Sequence, residues 1–372
     1  MIAFKVVISQ ALKITTRIQQ ANGSLLTMVM SRREFVGALG AAAGLLHPKA
    51  SAKPVLPGRR LNMKVGLYSI SFLGKWYRGE ALTLEELIKR AKKYGYDGVE
   101  VDGKRPHGNP LDMPRSRCRE LRSIAAGEGI EIYGVAANND FTSPIPEHRE
   151  CQILYVRELI HMTSDLGART LRVFLAWPGV TEEQGVASYG IAVPRWEAFR
   201  QGFSDQQVWD WCREGLVECA RYAGDAGITL ALQNHKPVIK THHDVLRMVH
   251  EVSSPHLKVS LDAPIMPVKT PEYIRQAALD VGPLQVLSHF GGEYERGADG
   301  KVECSPTYKP GADFYVPFIR AMNEIGYSGY IGYELCHSLP VVNGKTVGIE
   351  FAEKNAHLAA EFMRNLIRSQ VE

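Results

Sequence analysis

Four polar side chains in this 372-residue sequence each stand at the end of an apolar run: Gln233 in LALQNH, Asp262 in LKVSLD, His289 in VLSHF and Glu334 in GYIGYE. An amide oxygen, two carboxylates and an imidazole are donors suited to a divalent cation. Successive donors lie 29, 27 and 45 residues apart, too far for one helix face or one hairpin. Each interval is instead roughly the length of a strand–helix unit, about 30 residues. If the four runs are parallel strands of one barrel, the donors meet on a single rim. The chemistry predicted there is that of a bound metal polarising the oxygens of a small molecule.

The intervening sequence supplies such units. From residue 62 onward an amphipathic helix, a glycine and a short apolar or β-branched strand recur. Lys64 to Ser71 reads as the first strand, Thr83-Leu84-Glu85-Glu86 as a capping box opening a helix that Gly95 ends, and Gly98 to Asp102 as the second strand. A helix from Arg115 stops at Gly129 before the third strand, IEIYGVAA. Glu147 to Gly167 carries Ile153, Val156, Leu159, Ile160 and Leu166 on one helical face and precedes the fourth strand, TLRVFLAW. Ser204 to Gln207 is a second capping box, and Gly227 ends its helix ahead of the fifth strand, ITLALQNH. LKVSLD, LQVLSHF and GYIGYEL complete the strands, with helices near 241–252, 271–281, 312–325 and 349–368. Eight strands alternating with eight helices predict an α/β fold, a single (β/α)8 TIM barrel over residues 62–372. Segments 103–114, 177–204 and 291–311 follow strands and are long enough to build a pocket on the catalytic rim.

Further candidates fall on that rim. Glu100, Lys104, Arg105 and His107 end the second strand and open its loop, a charged group able to hold hydroxyls or a carboxylate. Asn138, Asn139 and Asp140 follow the third strand and suit hydroxyl groups, while Trp177, Phe290 and His337 offer flat faces for a wall. Glu293, Glu295 and Arg296 lie in the loop after His289, and Glu293 and Arg296 are taken as pocket candidates. His235 stands two residues after Gln233, on the same strand face, and an imidazole titrates near neutrality, so it is a candidate proton carrier. Arg172, inside the fourth strand, is expected to point into the barrel and to need an acidic partner there, Glu100. His242 and His243 open a helix and read as surface residues.

The N-terminal stretch has a different grammar. Ser31-Arg32-Arg33-Glu34-Phe35-Val36, an apolar run ending at Leu46 and Ala50-Ser51-Ala52 form, in order, a twin-arginine pattern, a signal core and a cleavage site. Residues 1–52 are therefore expected to be a removable export signal and 53–61 a linker, with the mature protein periplasmic or extracellular. The apolar run is shorter than the ~20 residues of a bilayer span, so no membrane span is expected in the mature chain. Met28 and Met30 stand just ahead of the arginines, and what precedes them reads as an overlong leader or a misplaced start. The first 52 residues hold six Lys or Arg and one acidic residue, which turns the formal +4 of the chain into −1 for the remainder. Such a balance asks for neither nucleic acid nor an anionic membrane surface. The six cysteines form no C-x-x-C pair. Cys212 and Cys219 sit about 10 Å apart along one helix, beyond disulfide reach.

With these motifs, the sequence from about Leu61 onward resembles the xylose-isomerase-like TIM barrels of the sugar phosphate isomerase/epimerase family, related to tagatose epimerases, hydroxypyruvate isomerase and endonuclease IV. The resemblance implies one divalent ion, Mn, Mg, Co or Zn, held by a Glu, an Asp, a His and a Glu from strands five to eight. Asp262, His289 and Glu334 match by strand and type, whereas Gln233 replaces the first glutamate. In the epimerase branch the two glutamates also work as acid and base on opposite faces of a substrate carbon, and an amide takes up no proton at neutral pH. The resemblance implies a metal-dependent sugar isomerase or epimerase acting through an enediolate, with Glu334 and His235 moving the proton. A small-molecule carbohydrate is the expected partner, and self-association is left open. The missing glutamate makes a lyase or dehydratase acting on an oxidised sugar, such as a 3-keto glycoside, the alternative, because elimination needs one base beside the carbonyl. An endonuclease-IV-like phosphodiesterase would need extra ligands and a basic surface, against the charge of −1. A non-catalytic sugar-binding barrel is disfavoured by the retained Asp262, His289 and Glu334.

Overall fold

The structure, a computed structural model, describes residues 63–308 and 313–370 together with the backbone of three strands nearer the N-terminus. Those strands, Phe4–Ile8, Ile14–Gln19 and Leu25–Met30, pair antiparallel as a small sheet, in the stretch read above as an overlong leader. The arginine pair, the apolar run, the cleavage motif and the 53–61 linker lie outside the described residues.

Eight parallel strands close into a barrel in chain order: β1 (Lys64–Tyr68), β2 (Gly98–Asp102), β3 (Glu131–Ala136), β4 (Thr170–Val173), β5 (Thr229–Gln233), β6 (Leu257–Ser260), β7 (Gln285–Gly291) and β8 (Tyr330–Glu334). β8 returns to pair with β1, Gly332 opposite Gly66, so the sheet has no open edge. Between the strands run α1 (Leu84–Tyr94), α2 (Arg115–Glu128), α3 (Pro146–Asp165), α4 (Asp205–Ala226), α5 (His242–Val252), α6 (Pro271–Val281) and α7 (Tyr315–Glu324), and α8 (Ile349–Ser369) follows β8. Both expected capping boxes form, Thr83 with Glu86 and Ser204 with Gln207, so the first turns of α1 and α4 keep their N–H groups paired. Gly95 and Gly227 end those helices at φ of 83° and 67°, a left-handed turn that a side chain resists. Among the described residues no helix is long and apolar enough to cross a membrane.

The alternation of side chains along a strand divides the barrel into two environments. Val65, Leu67, Val99, Val101, Leu230 and Leu232 face outward into the core shared with the helices, where each buried aliphatic side chain contributes about 1.5–3 kcal/mol. Inside the barrel, Tyr133 and Tyr330 stack with centroids 4.0 Å apart and pack with Ala231 and Leu287 as a separate apolar floor. A Cβ built on Gly66 or Gly332 would lie 2.4 or 2.5 Å from Tyr133, so glycine at both positions is what lets that ring cross beneath the site. Two residues further along their strands, on the same face, stand Gln233 after Ala231, His289 after Leu287 and Glu334 after Gly332. The pleat thus lays a polar layer directly on the apolar floor.

Several strands stop earlier than the apolar runs suggest, and a common device explains two of the stops. Asn139 accepts from the backbone N–H of Phe174 at 3.0 Å and donates to its carbonyl at 2.8 Å, taking over ladder bonds just past β4. Asn234 treats the backbone of Asp262 in the same way, at 2.8 and 3.1 Å, just past β6. The long rim segments carry further structure: hairpins Thr181–Glu183 with Val186–Ser188, Tyr294–Arg296 with Val302–Cys304, and Val341–Val342 with Lys345–Thr346, and a helix Ala192–Phe199.

Candidate active site

Charges pair across the barrel interior in a single chain of contacts. Arg172, the third residue of β4, is 2% exposed, and its Nε donates to Glu100 Oε1 of β2 at 3.1 Å, the acidic partner its burial requires. Glu100 Oε2 lies 2.6 Å from His289 Nε2, and His289 Nδ1 lies 3.1 Å from Asp262 Oδ2. Asp262 also accepts from the backbone N–H of His289 at 2.8 Å and from the Gln233 amide. On the other side of the guanidinium, Arg172 Nη1 stands 3.8 Å from Glu334 Oε2. Tyr68 and Phe174 flank the cation, with ring centroids 4.4 and 5.4 Å from its Cζ.

These neighbours set the protonation of each group. Burial opposes ionisation of Glu100, but Arg172 and His289 outweigh it and hold the carboxyl below its ordinary range. Burial works against Asp262 in the same way, and His289 with the Gln233 amide lowers it. For His289, burial and Arg172 favour the neutral ring, yet Glu100 and Asp262 raise it to about 9. Glu334 differs: burial raises its pKa, only partly offset by His289 and Arg172. A carboxyl held above its usual range by desolvation is a stronger base than an ordinary carboxylate and so better suited to take a proton from carbon.

Over this layer opens a cavity of about 260 Å³. Its polar wall includes Gln233, Glu334, Arg172, His235, Asn138, Lys104 and Arg105, and its aromatic wall Tyr68, Trp76, Phe174, Trp177 and Tyr189. Glu334 is the one carboxylate among the described residues of that wall. His235 packs edge-on against Phe174 and Trp177, centroids 5.1 and 5.4 Å away. That desolvated setting pushes its pKa down to about 4, so the ring is neutral rather than titrating near pH 7. Its Nδ1 faces the Lys236 carbonyl at 2.5 Å and therefore carries the proton, which leaves Nε2 as an acceptor. Lys104 Nζ lies 4.9 Å over the Trp177 ring and 3.7 Å from Asp102. Asn138, held at φ 52°, turns its amide toward Asp102 at 3.3 Å and Tyr68 at 3.4 Å.

Not every rim candidate reaches the cavity. Glu100 lies beneath it as the partner of Arg172 and His289. His107 is buried with Nε2 2.8 Å from the Leu82 carbonyl, a support for the loop between β1 and α1. Arg105 touches the cavity wall, but its guanidinium is clamped by exposed Asp112, Nη2 to Oδ1 at 2.9 Å. Arg296 is drawn away to Glu361 of α8, at 2.7 and 2.9 Å, because its hairpin lies against that helix. Glu293 is nearly buried and takes His337 Nε2 at 3.1 Å, outside the cavity wall. Tyr68, Trp76 and Tyr189 line the cavity without having been singled out. Tyr68 alone carried a signal, as an aromatic at the end of an apolar strand.

The residues present fit a divalent cation in donor type. Gln233 Oε1 is buried without a hydrogen-bond partner, and the amide it belongs to adjoins Asp262 Oδ2, which in turn adjoins His289 Nδ1. An orphaned amide oxygen beside a carboxylate and an imidazole is a set a hard or borderline cation satisfies, with His289 releasing a ring proton as the ion binds. Glu334 stands further off: among the described residues, the group of three His, Cys, Asp or Glu side chains with ligand atoms all within 4.8 Å of one another is His242, His243 and Asp280, on the outer helices.

Known proteins share this frame. The family model described as "Xylose isomerase-like TIM barrel" matches residues 88–366. Fructoselysine 3-epimerase of Shigella flexneri is 24% identical over 291 residues, covering 73% of this chain and 90% of that protein. Xylose isomerase of Thermus thermophilus is 26% identical over 177 residues, 44% of this chain and 41% of its own length. Among solved structures, D-psicose 3-epimerase in the presence of D-fructose superposes with a TM-score of 0.60 at 19% identity, covering 82% of this chain and 99% of that one. The 3-keto-D-glucoside 4-epimerase of E. coli superposes at 0.57 and 17% identity over 82% of this chain and all (100%) of that one. These superpositions establish the common barrel.

Proposed function

Because the chain belongs to the xylose isomerase-like TIM barrel family, we propose that it is a sugar isomerase or epimerase that moves one proton at carbon beside a carbonyl, with Glu334 as its base. The observation that carries this reading is that Glu334 is the one carboxylate among the described residues of the cavity wall, where cations, amides, aromatic rings and aliphatic side chains surround it. Support comes from relatives named for epimerisation or isomerisation of sugars. Gln233, Asp262 and His289, with Glu334, are the residues that would hold the divalent ion, which when bound would lend positive charge to a substrate carbonyl and its neighbouring hydroxyl.

The chain's own groups divide the remaining work. Glu334 takes the proton from carbon and returns it to the neighbouring carbon, which isomerises the sugar, or to the opposite face of the same carbon once the planar enediolate has turned over, which inverts it. His235, neutral and presenting an unprotonated Nε2, accepts a hydrogen bond from a substrate hydroxyl and orients it. Trp177 and Tyr189 give the apolar face of a sugar ring a flat surface, and the rings together keep water from the reacting carbon. Gln233 cannot serve as the opposed base that a two-carboxylate mechanism needs.

That amide also supports a second reading: elimination from a 3-keto glycoside, in which Glu334 removes the proton beside the carbonyl, the C–H pair forms the C=C bond, and the glycosidic oxygen departs with the C–O pair and takes up that proton. Incubating the metal-supplemented protein in D2O with ketoses, aldoses and 3-keto glycosides, followed by NMR, tests both. Deuterium at carbon with a rearranged or inverted sugar supports the first reading, and an enone with a released aglycone the second. No exchange with any of these sugars would overturn both. The export reading joins this proposal: the Arg32-Arg33 motif would place the activity outside the cytoplasm.

A further inference from the structure

Arg172 is more than the counter-ion of Glu100. Its Nε satisfies that carboxylate, whereas its Nη2 is buried and has no hydrogen-bond partner. Natural proteins leave few buried donors unpaired, and an unpaired guanidinium N–H keeps its full appetite for an acceptor. Arg172 lines the cavity together with Glu334 and Gln233, and its Nη1 stands 3.8 Å from Glu334 Oε2. Tyr68 and Phe174 flank it, so it holds one position instead of sweeping through solvent. A fixed cationic side chain on the wall of a cavity beside a lone base, with one N–H unsatisfied, has the attributes of an oxyanion site.

We propose that Arg172 is a catalytic residue whose free Nη2–H binds the substrate oxygen that becomes negative when Glu334 removes a proton from the adjoining carbon. This inference rests on the proton-transfer reading above. In the step, the C–H electron pair moves into a carbon–carbon double bond, the carbonyl π pair moves onto oxygen, and the proton resides on Glu334. The neighbouring hydroxyl then passes its proton to that oxygen, its electron pair forms the new carbonyl, and Glu334 returns the carbon proton to the former carbonyl carbon, which completes an isomerisation with no oxidant or reductant required. The arrangement gives the site a permanent positive charge from the chain itself, whatever ion Gln233, Asp262 and His289 hold.

Oxalate, a planar dianion resembling an enediolate, is the probe. Binding is measured calorimetrically on the full chain and on Arg172→Lys and Glu100→Gln, with metal content determined and matched in each. Arg172→Lys keeps a charge for Glu100 but loses the second N–H, and is expected to weaken oxalate at least tenfold. Glu100→Gln frees the guanidinium from its anionic partner and is expected to tighten oxalate about threefold or more, a gain that should be absent when Arg172→Lys is combined with it. Oxalate binding within twofold of wild type in both variants, or no binding to wild type, overturns the proposal. If Arg172→Lys fails to fold, the Glu100→Gln arm decides alone. Arg172-dependent oxalate binding in a protein that exchanges no sugar deuterium would uphold the anion site and count against the sugar reading only.

Discussion

At the scale of single residues, the site is a contest between desolvation and charge. Glu334 is the carboxyl for which burial wins, while Glu100 and Asp262 stay ionised because Arg172 and His289 are within reach. A similar contest outside the cavity gives a prediction about stability. His107 is 3% exposed, and burial lowers its pKa below the ordinary 6.5. The unfolded chain therefore binds the proton first as pH falls. Stability from this group is complete above about pH 6.5 and drains away as pH drops toward the folded value. His107→Gln, which can still donate to the Leu82 carbonyl, should show a smaller fall in thermal midpoint than wild type between about pH 7 and pH 5. Equal falls in the two proteins would contradict this assignment.

At the scale of elements, the barrel was legible because its two periodicities are clean. Apolar runs of strand length, most of them preceded by a helix ending in glycine, specify βα units, and the donors at the ends of those runs specify the rim. The partnership of Arg172 with Glu100 was legible too, since a charge inside a strand must find its opposite. Less visible were the hairpins: Thr181–Glu183 reads TEE, which has no apolar alternation to announce a strand. Asn139 was legible only as a turn residue, and its work in ending β4 depends on a neighbouring strand that the local sequence does not reveal. Arg296 looked like a pocket residue because its loop follows His289, but α8 supplies Glu361 as a closer partner. The floor of the barrel makes the most direct test at this scale. Gly332→Ala would bring a methyl to 2.5 Å from the Tyr133 hydroxyl and 3.0 Å from His289 Cδ2. It should destabilise the fold by about 1–3 kcal/mol through overpacking and displace the His289 ring. Denaturant unfolding checks the first effect, and an unchanged midpoint would show that Tyr133 is not wedged as described.

At the scale of the whole molecule, the closed sheet turns donors scattered over a hundred residues of sequence into one layer, and the long rim loops cover that layer with aromatic rings. The export reading also belongs here. Replacing Arg32 and Arg33 together with lysine should leave the precursor in the cytoplasm, as read by fractionation, because the receptor recognises the pair and not its charge. Unchanged delivery would remove the export reading while leaving the barrel chemistry untouched. The central claim is that one carboxylate, Glu334, performs the proton transfer and that Gln233 is a working part of a one-base site. The measurement that tests it most directly is solvent-deuterium incorporation into a responsive sugar by wild type, Glu334→Gln and Gln233→Glu at matched metal occupancy. The account predicts a loss of about 10²–10⁴-fold for Glu334→Gln. It also predicts reduced turnover for Gln233→Glu, where a new charge would crowd Asp262 and Glu334. A Gln233→Glu protein that gains epimerisation without losing any other activity, or a Glu334→Gln protein that exchanges deuterium at the wild-type rate, would contradict it.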